Sequence, residues 1–169
     1  MKSVESKPGL FVKKGEEVEF SAEAFVDLLK FVLEKKKGLR FRVRGFSMVP
    51  LIRDRDIVTV FPFSVKKART GDVVIFRERE SSVLAAHRIV KKGEKSFLLK
   101  GDNIDMADGY IPLNNILCSV SRVEREGKKI KLGMGATRNI IAILSREGII
   151  HKILSWFRRV IHWFRRIKK

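Results

Sequence analysis

Four polar side chains stand where this sequence turns between apolar segments: Ser47, His87, Asp102 and Asp108. Ser47 lies in Gly45-Phe46-Ser47-Met48-Val49-Pro50, where glycine and proline force a sharp turn at the end of an alternating run. A serine on such a turn can present its hydroxyl and neighbouring backbone N–H groups to the same space, as a nucleophile with an oxyanion site requires. His87 closes the apolar run Val83-Leu84-Ala85-Ala86, so an imidazole, the side chain most used to move protons, projects from a mostly buried strand. Asp102 follows Gly101, and Asp108 precedes Gly109. Each of the four has a plainer reading when taken singly: a serine in a tight turn, a structural histidine, and two turn aspartates bonded to nearby backbone. The single cysteine, Cys118, leaves no internal disulfide and no Cys-built zinc site, and neither a metal nor a cofactor is expected.

The ordered set is more specific than its members. Gly45-Phe46-Ser47-Met48-Val49-Pro50, then Asp56, then Gly71-Asp72-Val73-Val74-Ile75-Phe76, then His87-Arg88-Ile89-Val90, then Lys100-Gly101-Asp102-Asn103 resembles the superfamily of type I signal peptidases and LexA-like self-cleaving SOS-response repressors, over residues 39 to 125. The resemblance implies a coiled, antiparallel all-β catalytic fold in which the serine of a Ser-Met motif is the nucleophile and a residue on a later strand is its base. Histidine at the base position makes the sequence similar to the archaeal and endoplasmic-reticulum branch, where an aspartate six residues after the Gly-Asp aspartate completes the triad. On that resemblance Ser47 is the nucleophile, His87 the general base and later the general acid, and Asp108 the group that orients the imidazole. Asp102 supports the turn, and Asp105 is the alternative third member.

A nearer likeness is to small prokaryotic signal-peptidase-like proteins without an N-terminal membrane anchor. There an amphipathic helix precedes the Gly-x-Ser-Met motif, and an Asp-x-x-x-Pro-Leu-like segment follows the Gly-Asp turn, here Asp108 to Leu113. Three positions depart from the family pattern. Gly45 lacks the hydroxyl that some signal peptidases place two residues before the nucleophile, so an oxyanion would depend on backbone N–H groups, including that of Ser47. Arg55 replaces the usual glycine before Asp56, and Cys118 stands where glycine is common; both bear on structure and leave the chemistry alone.

Several elements must position these residues. Ser21 is an N-cap, Glu23 lies in the first turn, and Phe25, Leu28, Leu29 and Val32 make an apolar stripe, which predicts a helix over 21–37 ending at Gly38. From Leu39 the period becomes two, and short strands follow at 39–43, 57–61, 73–76, 84–90, 96–99, 117–123 and 128–132, most separated by glycine-containing turns. With no helices between them, these strands predict a mainly β, antiparallel domain flanked by helices. Residues 1–20 read as a loose arm with one edge strand near Leu10 to Val12.

The helical period returns after Gly135 in a basic amphipathic segment, with Gly148 dividing it into 137–147 and 149–167. The chain thus divides into an arm (1–20), a catalytic domain (21–136) and a helical tail (137–169). At 169 residues there is no room for a two-domain enzyme. A net charge of +18 points to an anionic surface as a partner. The tail holds nine Lys/Arg and one Glu, a net +8, opposite a stripe containing both tryptophans, Trp156 and Trp163. It is read as an anchor lying on an anionic membrane surface, with packing on the β domain or pairing with another copy as the plain alternative and nucleic acid as the lesser one. Neither a signal peptide nor a spanning segment is read in the chain, so the expected location is peripheral at a membrane or cytoplasmic. The resulting expectation is a serine endopeptidase of signal-peptidase type that cuts an extended protein or peptide substrate after small residues. The alternative is a non-catalytic or self-cleaving regulatory protein associated with membrane or nucleic acid; the sequence leaves oligomeric state open.

Overall fold

The computed structural model describes residues 10–13, 16–19, 21–78, 84–131 and 137–167. Helix α1 (Ala22–Glu34) starts where the Ser21 Oγ accepts the Ala24 N–H at 3.2 Å. It buries Phe25, Leu29 and Leu33, four residues apart and therefore on one face. Strands β3 (Leu39–Arg42), β4 (Ile57–Pro62), β5 (Val73–Arg77), β6 (Leu84–Lys92), β7 (Ser96–Lys100) and β9 (Ile116–Arg125) form where alternation predicts them. So does β10 (Lys128–Ile130), although Leu132 and Gly133 to Gly135 lie outside the described residues.

One sheet of ten antiparallel strands results, in the order β2-β1-β3-β4-β9-β5-β6-β7-β8 with β10 on β9. Strand β9 is its spine, pairing with β4 on one side and β5 on the other. A register shift interrupts each ladder, at Thr59/Val60 and at Ile75/Phe76, and such bulges increase twist and let a single sheet coil. Coiling produces two cores. One lies under α1 with Phe41, Val58, Val60, Ile75 and Cys118; the other gathers Val74, Phe76, Ile89, Phe97, Leu99 and Ile111.

Two strands escape the sequence reading, β2 and β8. Strand β1 (Leu10–Lys13) falls where the sequence reading places an edge strand and pairs with β3, Phe11 opposite Phe41, while β2 (Glu16–Glu19) pairs antiparallel with the other side of β1. A four-residue strand containing three glutamates among Glu16, Glu17, Val18 and Glu19 has no apolar alternation to detect; pairing alone makes it a strand. Strand β8 (Gly109–Pro112) is likewise four residues long and is defined by its ladder with β7.

The C-terminal segment is two helices, α2 (Arg138–Arg146) and α3 (Ile149–Ile167), separated at Gly148, whose φ of +69° suits glycine. The first of them is packed on the sheet against β6, with Ala142 and Ser145 buried. Gly71 makes this possible, because a Cβ there would fall 2.6 Å from the Arg138 carbonyl oxygen. No helix among the described residues is long and apolar enough to cross a membrane.

Arg55 adopts φ +67°, the left-handed region that strains any residue with a Cβ. Its N–H donates to the Val43 carbonyl at 2.9 Å, a bond glycine would keep, and its side chain, 81% exposed, comes no nearer than 3.9 Å to Asp54. Arg55→Gly is expected to raise the unfolding free energy by about 0.5–1 kcal/mol, the relieved strain less the extra freedom of the unfolded chain. A higher urea midpoint at unchanged slope is the readout.

Candidate active site

Ser47 opens a tight turn between β3 and β4. Met48, Leu51 and Ile52, just after it, are buried in the core, so the turn is anchored from below. Asp56, 2% exposed, closes its far end: one oxygen accepts the Arg53 N–H at 2.8 Å, and both accept from Arg125 on β9, at 2.9 and 2.7 Å. At the near end Gly45 adopts φ +117°, and its N–H donates to Asp54 Oδ1 at 3.0 Å. Among the described residues none accepts the N–H of Ser47 or Met48.

His87 lies on β6, opposite Val74 of β5, with its ring 5.6 Å from that of buried Phe76. It is 6% exposed, and its Nδ1–H donates to Asp108 Oδ2 at 2.6 Å. That bond selects the tautomer in which Nε2 carries the lone pair. Nε2 points to Gly101, the residue after β7: a Cβ on Gly101 would lie 3.0 Å from it and 2.9 Å from the Ser47 carbonyl oxygen. The His87 ring and the Ser47 turn therefore converge on one glycine that has no side chain to separate them. The Ser47 hydroxyl makes no hydrogen bond to His87 in this arrangement; it is one χ1 rotation from its alternatives.

The two other aspartates take different places. Asp102, beside Gly101, is 1% exposed and receives Arg88 through two bonds, Nε to Oδ1 at 2.9 Å and Nη2 to Oδ2 at 2.7 Å. Arg88 follows His87 on β6, is itself fully buried, and also donates to the Gly71 carbonyl at 2.7 Å. Asp102 thus supports the site through Arg88. Asp105 faces away from His87, with a side chain 72% exposed and Oδ1 3.7 Å from His151 Nδ1. Geometry therefore pairs His87 with Asp108, brings the Ser47 carbonyl and the His87 ring to the same glycine, and leaves Asp105 outside.

Residues not singled out from the sequence complete the arrangement. Asn103 clamps the nucleophile turn, its N–H donating to the Ser47 carbonyl at 2.7 Å and its Nδ2 to the Phe46 carbonyl at 3.0 Å. Asp108 is held by its own N–H, which donates to the Leu99 carbonyl at 3.0 Å. Arg88 carried a legible signal, a cation within the buried half of an apolar strand that demands a partner; Asn103 carried none. The lone thiol of Cys118 is no competing nucleophile, because burial pushes its pKa up to about 12 and keeps it protonated. No cluster of metal-ligating side chains occurs among the described residues.

A family described as Peptidase S24-like matches residues 9–132. No curated protein and no solved structure matches the chain.

Removing Asp102 would strand a guanidinium that has no access to water. Asp102→Ala is expected to destabilise the fold by about 3–5 kcal/mol, the usual result of breaking a buried pair from one side. Chemical denaturation of the variant against the parent checks it, and a loss below 1 kcal/mol would mean that water reaches Arg88.

Proposed function

The chain belongs to the Peptidase S24-like family, and on that premise and the geometry at Gly101 we propose that it is a serine endopeptidase working through Ser47, His87 and Asp108. One observation carries this reading: the His87 ring, held at Nδ1 by Asp108, turns its free Nε2 toward the nucleophile turn. In the first step the Ser47 Oγ attacks the scissile carbonyl while its proton passes to Nε2, and Asp108 stabilises the imidazolium. Backbone N–H groups at Ser47 and Met48 receive the developing oxyanion. His87 then protonates the leaving amine, and water, deprotonated by the same nitrogen, releases the acyl group and restores Ser47.

The substrate is an extended polypeptide. Strand β6 pairs with β7 only from Arg88 onward, so Leu84 to His87 are laddered on one side by β5 and, among the described residues, open on the other. An open edge leading to the base is what strand addition by a peptide uses. A preference for small residues before the cut, as in signal peptidases, rests on the sequence resemblance.

Incubation with signal-peptide-bearing proteins and with extended alanine-containing peptides, followed by mass spectrometry, tests this reading. Cleavage by the parent protein is expected, falling by a factor on the order of 10⁴ or more in Ser47→Ala. Equal cleavage by the two would remove Ser47 from the mechanism. Products of the chain's own cleavage would point to the self-cleaving mode instead of action on other chains.

Gly101→Ala probes the convergence itself, since its new Cβ would press on the Ser47 carbonyl and on Nε2 while the third neighbour, the Ile104 side chain, can move. We expect activity to fall by about 10²-fold with the fold retained.

A further inference from the structure

Helix α2 is amphipathic the wrong way round for a helix that belongs only to the protein core. Its sheet-facing residues are Ala142 and Ser145, both buried, whereas Ile140 and Ile143 point outward, 62% and 55% exposed. An isoleucine face turned to water on a helix that is otherwise docked needs a cover. Helix α3 continues the pattern: Ile150 is buried beside α2, while Ile153, Trp156 and Phe157 are exposed, the last two rings stacked edge to face at 5.1 Å. At 19 residues α3 is about 28 Å long, and its sequence sets Lys152, Arg158, Arg159, Arg165 and Arg166 among these apolar positions.

These helices are braced on the loop of the site. A Cβ on Gly148 would lie 3.7 Å from Lys100 Nζ and 3.8 Å from Asp105 Oδ1, and His151 approaches the same carboxylate. Beside Asp105, Ile104 and Met106 are exposed, Met106 at 77%, so apolar surface runs from the helices to the loop carrying Asp108.

We propose that α2 and α3 form a docking face for an anionic lipid bilayer, lying in the plane of its headgroups with Ile140, Ile143, Ile153, Trp156 and Phe157 inserted. The charge decides among occupants. A net +8 over residues 137–169 repels a second copy of the same face, and nucleic acid phosphates would neutralise the arginines without covering isoleucine, tryptophan and phenylalanine. An anionic bilayer satisfies both halves of the helix at once. Docking does not depend on the peptidase reading, and it would place the loop of the site beside the membrane surface.

Both tryptophans of the chain are in α3, so their emission reports on this face alone. With the full chain, vesicles of phosphatidylcholine containing phosphatidylglycerol should shift the emission to the blue and carry the protein upward in a density gradient, an effect weakened by salt. Pure phosphatidylcholine vesicles should do neither. Lys152→Gln combined with Arg159→Gln, both exposed positions, should lower partitioning about thirty-fold, at roughly five-fold per charge. Trp156→Glu with Phe157→Glu should abolish flotation at unchanged melting temperature, and Ser47→Ala should float like the parent, which separates this result from any failure of catalysis. Absence of a shift and of flotation with the anionic vesicles overturns the proposal, as does equal binding to both vesicle types. Emission already blue-shifted in a lipid-free dimer would give the face to a second copy, and tight binding to a duplex oligonucleotide without vesicle binding would give it to nucleic acid; either also overturns it.

Discussion

Arg88 and Asp102, both without access to solvent, form the ion pair on which the geometry of the site depends. Arg88 is next to His87 on β6, Asp102 is next to Gly101, and the third guanidinium nitrogen holds the Gly71 carbonyl at the start of β5. Three segments distant in sequence therefore meet at one planar cation. Burying two charges costs desolvation energy that their attraction only partly returns, so the pair is poor as a source of stability. Its value is directional, because two parallel N–H···O bonds tolerate little rotation and hold the loop after β7 against the strand that carries His87.

The nucleophile turn is held by other means to the same end. Its core side is hydrophobic, through Met48, Leu51 and Ile52; its flank is electrostatic, through Asp56 and Arg125; its exposed side is clamped by Asn103. The hydrogen bonds from Arg125 to the Asp56 carboxylate raise the guanidinium pKa above its already high ordinary value. Gly101 then lets the two halves close to a distance that any side chain would forbid. Rigidity is thus concentrated around Ser47 and His87, whereas Leu84 to His87 are, among the described residues, laddered on one side only, as the proposed addition of a peptide strand requires.

The C-terminal helices stand in a different relation to the sheet. Helix α2 gives it buried Ala142 and Ser145 and a contact between Arg138 and Asp72 at 3.5 Å, and keeps Ile140 and Ile143 outside. Packing of this kind fixes where the helix lies without consuming its apolar face. A basic, aromatic surface is thereby carried by the body that also holds the proposed active site.

Much of this was legible in the chain because periodicity and turn chemistry are local. Alternation located seven strands, Ser21 marked the start of α1 although the helix ends at Glu34, short of the expected Gly38, Gly148 divided the last two helices, and the Ser-Met, His and Gly-Asp segments marked the candidate site in order. Strands β2 and β8 escaped, since short segments without apolar alternation become strands only when an edge is there to satisfy their backbone groups. Residue types alone could not separate Asp102, Asp105 and Asp108, three carboxylates within seven residues of loop. Tertiary structure separated them by what faces each: a buried guanidinium, the outer helix, and the Nδ1 of His87. Local sequence determines which groups are offered, but a loop's carboxylates acquire distinct environments only when strands far apart in the chain are brought together, because burial and hydrogen-bond partners are properties of the packed sheet.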